Sequence, residues 1–509
     1  MKKLLCYTLA LHIALFSIAC SLDDNSSILK AVEVTAAPSE PSTLGDPVNL
    51  RGMVVTGIYS NKSRKTLAVS RKDITGYDAN KLGLQTLTLT WQGLSATFTV
   101  TVEPVTLRVF NVPWVGDAEE IATIWDAFSE SHPGIIIERE DVDPSAYQGA
   151  IDAYFQGTTQ GGTQADSLPD LFFAWIGGPS QSLHQDYRLK DLSSLLETDN
   201  LFSAFYKVLD AEVQYGGFRG VIPLGFQVKN LLYTNRQVLE NCLFSPATEL
   251  DRLGTQAATL RANGYEVLAV SDDADLGEVA LFSLIAGRLN RSSWGKKLFT
   301  GEAAFTDPLF IAVLDTIKSL YRQDILAQSS FVQTADGDAA FIRNEYAYYL
   351  GSTGEAIAAA PGMQSLVTVS AFFPLGEGLN NSITVSLAPG WGMSRRIEAG
   401  TGKEAAAWEL IKWLTGREVQ TWLLAKGYIE CPSRNDVLPE PINLIPESSY
   451  SLSDPYLKSI LNGKDILVEP YLEDDLQQAI AQVVRELDPL TADLAPEEGA
   501  ARIQAAFAK

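Results

Sequence analysis

The hydrophobic period changes at Pro104, and this change constrains the fold more than any other feature of the chain. Before it, apolar and polar residues alternate two by two. Val32-Glu33-Val34-Thr35 alternates, and so does Thr86-Leu87-Thr88-Leu89-Thr90-Trp91. Gln92-Gly93 supplies a turn, and Ala96 to Val102 alternates back. A period of two lays one side of a strand on a core and leaves the other in water, and its β-branched residues suit a pleated surface. This pair predicts a hairpin, Met53 to Tyr59 reads as another strand, and residues 31–104 are expected to form a small all-β sandwich. After Pro104, strands alternate with helices. Thr106 to Phe110 is a strand. Ala118 to Ser131 has helical spacing, with Ile121, Ile124, Trp125 and Phe128 on one face. His132-Pro133-Gly134 ends that helix, and Ile135 to Glu138 is the next strand. Such alternation implies an α/β architecture.

The N-terminus speaks to compartment. Lys2 and Lys3 precede an uncharged apolar run, Leu4 to Ala19, too short and too terminal for an ordinary membrane span. It ends in Ser17-Ile18-Ala19-Cys20, followed by polar Ser21 to Ser27. Small residues before a cysteine and a polar stretch after it resemble a bacterial lipoprotein processing site. The expectation is therefore a signal over 1–19, a lipid on Cys20, a tether over 20–30, and an exported chain anchored to the bacterial cell membrane. No later stretch is long and apolar enough to span a bilayer. Cys6 leaves with the signal, so Cys242 and Cys431 remain; they could form one disulfide or stay as two buried thiols.

Composition excludes some partners. The chain has 39 Lys and Arg against 62 Asp and Glu, a net charge of −23. A nucleic-acid binder needs a basic surface to displace counterions, so this balance argues against one. It argues equally against a chain that grips anionic lipid with a polybasic face.

Two resemblances carry the reading further. Gly76-Tyr77-Asp78, Gly83 to Leu89 and Phe98 to Val102 resemble bacterial immunoglobulin-like domains, with adhesion or a membrane spacer as the implied role. In the rest of the chain, several landmarks keep one order: the helix ending in His-Pro-Gly, Tyr147, and Pro169-Asp170 before Leu171 to Trp175. Ile222-Pro223-Leu224 and Leu231 to Asn235 follow. Then come Ala339 to Ser352, Pro389 to Ser394, Glu404 to Leu414, and Gln420 with Gly427-Tyr428 to Arg434. This order resembles the sugar-binding solute-binding proteins of ABC importers, the family that includes maltodextrin-binding proteins. The resemblance implies a two-lobe periplasmic-binding-protein fold over 105–509, with crossover strands between the lobes. Lobe one is expected over about 105–223 and 350–392, and lobe two over about 228–345 and 396–509. It also implies a monomer that closes on a small molecule, a carbohydrate above all, and hands it to membrane permease subunits, with no cofactor and no catalysis.

A sugar site needs fixed donors and acceptors for hydroxyls and flat apolar walls for the C–H faces of the ring. At family cleft positions stand Trp114 and Asp117 after the first strand, Trp175 beside Gly177-Gly178, and Phe226 and Gln227 at the first crossover. Ser352, Thr353 and Glu355 stand at the second and Trp391 at the third, with Asp275 and Glu278 in the other lobe. Trp391 lies between Gly390 and Gly392, which would let a ligand approach closely. For each aromatic, core packing is the rival reading; Trp125, Trp408, Trp413 and Trp422 fall in helical patterns and read as core. For the carboxylates and hydroxyls the rival is a solvated helix cap.

Other chemistries find little support. Once the signal is removed, His132 and His184 are too few and too far apart for a zinc site. No Gly-x-Ser-x-Gly accompanies a nucleophile. Thr401-Gly402-Lys403-Glu404 imitates part of a phosphate loop without its full spacing. Asp272-Asp273-Ala274-Asp275 misses the calcium-loop pattern. The alternatives that stay open are a surface adhesin or sensor on the same fold, and a binding protein for a peptide or polyamine.

Overall fold

A computed structural model describes residues 27–508 apart from 112–117, 143–168, 175–188, 208, 210–212, 216–217, 229–230, 273–276, 291–293, 352–356, 358–359, 371–382, 388, 427, 430, 438–465, 470–471 and 473. The chain divides into two compact units, Met1–Pro104 and Val105–Lys509.

The first unit is a β sandwich. One sheet has the order Leu29–Ala36, Val54–Tyr59, Arg64–Leu67; the other has the order Ser42–Thr43, Leu94–Glu103, Gly83–Trp91, Ile74–Thr75. Alternation places Leu87, Leu89, Phe98 and Val100 inside, against Val32 and Val55 of the facing sheet. The hairpin turn is Gln92-Gly93, with φ of 49° and 82°. Positive φ at both central residues matches the twist of the flanking strands, which is why glycine serves there.

Among the described residues the second unit holds three sheets of four or five strands and a two-stranded one, Gln214–Tyr215 with Phe218–Arg219. In the first, Ile135–Asp141, Val105–Asn111 and Leu171–Ala174 run parallel, Gly390–Met393 runs antiparallel to them, and Val221–Pro223 at the edge runs antiparallel to Gly390–Met393. In the second, the order is Phe331–Gln333, Glu266–Asp272, Tyr346–Gly351, Leu231–Asn235, Val367–Ser370, of which the first three run parallel. A third, four-stranded sheet, entered by the chain between Val221–Pro223 and Leu231–Asn235 and so the middle one, has the order Cys431–Pro432, Gly225–Val228, Ile383–Leu387, Ile466–Glu469. Helix Ala118–Ser131 follows the first strand, and the second sheet is backed by helices Leu250–Ala262, Gly277–Asn290, Pro308–Arg322, Asp474–Glu486 and Pro496–Phe507, whose apolar side chains form one continuous core with it.

The crossovers are a two-stranded antiparallel ribbon. Val221–Pro223 passes at Leu224 into Gly225–Val228, and Ile383–Leu387 passes into Gly390–Met393 beside it. The Leu224 amide donates to the Pro389 carbonyl at 3.2 Å, where both strands change sheet. Strand exchange here differs from the expected lobe limits. Tyr346–Gly351 and Val367–Ser370 remain in the second sheet, because Leu231–Asn235 pairs with both. Helix Gly402–Leu414 belongs with the first sheet: its Lys403 Nζ stands 2.9 Å from Asp170 Oδ1, at the entry to strand Leu171–Ala174.

Candidate ligand-binding site

In open α/β sheets ligands bind beyond the carboxyl ends of parallel strands. In the first sheet, Val109 pairs with Leu171 and Phe110 with Phe172, so strands Val105–Asn111 and Leu171–Ala174 end side by side. Trp114 and Asp117 follow the first of these ends in sequence, and Trp175 follows the second. In the second sheet, Val270 pairs with Leu350, so Glu266–Asp272 and Tyr346–Gly351 also end side by side. Asp275 follows one end, and Ser352, Thr353 and Glu355 follow the other. The expected residues thus follow, in sequence, the ends of two strand pairs, one pair per sheet. Trp114, Asp117, Trp175, Asp275, Ser352, Thr353 and Glu355 themselves lie outside the described residues, and so does the side chain of Gln227, whose backbone pairs with Ser386.

The other expected contacts are placed in detail, and each is packed inside the protein. Trp391 is 3% exposed. Its ring meets Trp125 edge-on at 5.7 Å and Phe173 at 5.1 Å, so it fills the space between the first sheet and helix Ala118–Ser131. Its flanking glycines serve the chain's own approach: a Cβ on Gly390 would stand 1.9 Å from the Ile222 carbonyl oxygen, and one on Gly392 2.5 Å from a Leu189 methyl. Phe226 is fully buried, with Tyr206 at 5.9 Å. Glu278 is 1% exposed in the first turn of helix Gly277–Asn290 and accepts from Arg485 Nε at 2.6 Å, an ion pair that ties two helices together. The disulfide is not formed. Cys242 is a buried free thiol in the core behind the second sheet, where burial pushes its pKa up, while Cys431 lies on a strand paired with Phe226 in the middle sheet.

Several polar groups noticed in the sequence brace the frame. Asp170 accepts the Arg108 amide at 2.9 Å and pairs with Lys403. Thr401 caps helix Gly402–Leu414, accepting the Glu404 amide at 3.2 Å, while Glu404 accepts the Gly400 amide and pairs with Lys190 at 2.5 Å. The phosphate-loop likeness is therefore a threonine-capped helix start with an ion pair. His132 stacks on Phe128 at 4.2 Å and closes its helix.

A brace at the crossover has no signal in its residue types alone. Gln420 Nε2 donates to Ser433 Oγ at 2.7 Å, and that hydroxyl donates to the Pro223 carbonyl at 2.7 Å. The Ser433 amide reaches the Leu224 carbonyl, and Gln420 Oε1 accepts the Arg434 amide at 3.1 Å. Gln420 and Ser433 are fully buried. Arg434 then clasps Asp436 through both guanidinium arms, at 2.8 and 2.7 Å, holding that carboxyl below its ordinary pKa range. The landmark Pro432-Ser433-Arg434 thus clamps one ribbon strand where it leaves the first sheet.

Comparison with known proteins settles the family. The description "bacterial extracellular solute-binding protein" matches residues 123–444. The chain belongs to this family. Residues 42–102 match the bacterial Ig-like domain, group 3. No curated protein sequence matches. Among solved structures, a family 1 extracellular solute-binding protein from Bifidobacterium longum subsp. infantis is 14% identical, with 80% of this chain and 99% of that one covered and a TM-score of 0.63. A probable secreted solute-binding lipoprotein from Streptomyces coelicolor is 16% identical over 80% and 99%, with a TM-score of 0.61. The bacterial solute receptor AcbH, described as exclusively preferring β-D-galactopyranose, is 15% identical over 79% and 97%, with a TM-score of 0.60. These likenesses show the fold: this extracellular solute-binding protein carries an immunoglobulin-like unit ahead of its binding unit.

Proposed function

We propose that this solute-binding protein captures a carbohydrate in a cleft between its two five-stranded sheets and delivers it to the permease subunits of an ABC importer. The observation that carries the reading is the register of the parallel strands. Strands Val105–Asn111 and Leu171–Ala174 end side by side, as do Glu266–Asp272 and Tyr346–Gly351, and Trp114, Trp175, Asp275, Ser352, Thr353 and Glu355 follow these four ends in sequence. Aromatic walls from one side and hydroxyls and carboxylates from the other suit a sugar, whose ring faces are apolar and whose rim is polar. The ligand preference described for AcbH agrees with this chemistry. Ligand touching both groups stabilises the closed arrangement, because only that arrangement offers both sets of contacts.

The chain is exported by residues 1–19, anchored through lipid on Cys20, and works as a monomer. Cys20→Ala should move it from the membrane fraction to the soluble exported fraction; retention in the membrane would contradict the anchor. A thermal-shift screen of sugars, amino acids, peptides and polyamines tests the ligand class, since a specific ligand raises the midpoint by mass action. A sugar should give the largest shift, and Trp114→Ala or Trp175→Ala should abolish it. A response confined to a peptide or polyamine would overturn the carbohydrate assignment and leave transport standing.

A further inference from the structure

The acidic charge of the chain is unevenly distributed. Residues 27–104 carry eight Lys or Arg against six Asp or Glu, while the whole chain carries 39 against 62. Charge asymmetry of this kind points to a surface with a partner of its own. Within the immunoglobulin-like unit, four of the eight basic residues lie at one end. Leu29 pairs with Tyr59 and Ile58 with Arg64, so the start of the first strand lies beside the hairpin that joins Val54–Tyr59 to Arg64–Leu67. Lys30, Lys62, Arg64 and Lys65 are all exposed there. Glu33 pairs with Arg64 at 2.5 Å, and Lys65 Nζ lies over the Tyr59 ring at 5.5 Å.

This end is also where the tether arrives. The Ile28 amide donates to Ser60 Oγ at 3.1 Å, and the Ser60 amide donates to the Ile28 carbonyl at 2.8 Å, stapling the hairpin tip to the incoming chain. Ile28 itself is 62% exposed. Only residues 21–27 separate it from Cys20. Eight residue steps at about 3.3–3.6 Å reach no further than about 29 Å. The chain leaves the unit elsewhere: Ser42 and Thr43 run beside Val102 and Glu103, well past Ala36 and Val54 at the other end of the first strand.

We propose that the Lys30, Lys62 and Lys65 end of the immunoglobulin-like unit docks on anionic lipid headgroups of the membrane that holds Cys20. The proposal rests on the lipid-anchor reading for its address. A short tether keeps three cations close to the bilayer, where an anionic leaflet attracts each of them. Exposed Ile28 adds an apolar side chain, and the lysines supplement an acyl anchor as a second membrane signal. Asp23 and Asp24 in the tether oppose the attraction but are fewer than the cations.

The test is co-sedimentation of the unlipidated exported chain, Ser21 to Lys509, with phosphatidylcholine vesicles that contain or lack phosphatidylglycerol. Without the acyl chain, failure of the surface is read separately from failure of the Cys20 anchor. Binding should require phosphatidylglycerol and fade as salt shortens the Debye length. Lys30→Gln, Lys62→Gln and Lys65→Gln should each weaken partitioning about fivefold, and the triple variant on the order of a hundredfold. Arg51→Gln with Lys81→Gln, at the opposite end, should leave partitioning unchanged. All five positions are exposed, so an unchanged melting profile certifies the fold. No binding to anionic vesicles, equal binding to neutral ones, or equal loss in the opposite-end variant would overturn the proposal.

Discussion

In the first sheet of the binding unit, Gly390 stands so close to Ile222 that a single added carbon would overlap a backbone oxygen, and Trp391 wedges between Trp125 and Phe173. The second sheet presents a different interior. Trp294, Phe282, Phe305 and Phe310 share one aromatic cluster, with ring centroids 5.1–6.3 Å apart, inside a far larger apolar core. Both are tied by ion pairs, the first sheet by Asp170 with Lys403 and Lys190 with Glu404, the second by Arg261 with Glu266 and Arg485 with Glu278. The sheet from which the ribbon strands emerge adds a steric constraint on individual backbone atoms at Gly390. Atom-scale constraints suit a hinge, because they specify register where bulk packing would tolerate sliding.

Substitutions at the two sheets should separate these modes. The largest effect belongs to Gly390→Ala, which should prevent the binding unit from folding; a folded variant by circular dichroism would show that the two strands can spread apart. Trp391→Ala and Trp294→Ala should each cost about 3–5 kcal/mol by denaturant melts, as truncation of a buried large side chain does. A loss of ligand affinity without loss of stability at Trp391 would restore it to the ligand wall. Ser433→Ala should cost about 1–3 kcal/mol, because it leaves buried Gln420 and the Pro223 carbonyl short of a partner.

The smallest effect concerns acid. Arg434 holds the Asp436 carboxyl below its ordinary range. A depressed folded-state pKa adds stability above the unfolded value, and that stability is lost as pH falls through the folded value. Asp436→Asn should therefore lower stability at neutral pH slightly and converge with the parent protein in acid. A constant difference across pH would show that the ion pair is not the cause.

Local features were legible where a short-range pattern has one physical solution. The Gln92-Gly93 hairpin and helix Ala118–Ser131 are of this kind, as are strands Val105–Asn111 and Ile135–Asp141 on either side of that helix. Trp391 was not legible, because glycines flanking a large ring permit either close ligand approach or close strand approach, and the sequence does not say which backbone comes near. The lobe limits failed for a similar reason. Tyr346–Gly351 is buried on both faces, a pattern that suits any central strand, and its membership is decided by pairing with Leu231–Asn235, more than 100 residues earlier. Cys242 and Cys431 illustrate the same limit: that one ends a helix in the core behind the second sheet and the other lies on a strand of the middle sheet cannot be read from composition.

The proposed closure of the two sheets about Leu224 and Pro389 is tested by a distance across them. Spin labels at exposed Glu138, on the edge of the first sheet, and exposed Glu302, in the helical layer behind the second, report that distance. Measured with and without the most stabilising sugar, the distance distribution should shift to a new, narrower population in proportion to bound ligand. Saturating sugar that binds and leaves the distribution unchanged would contradict the closure.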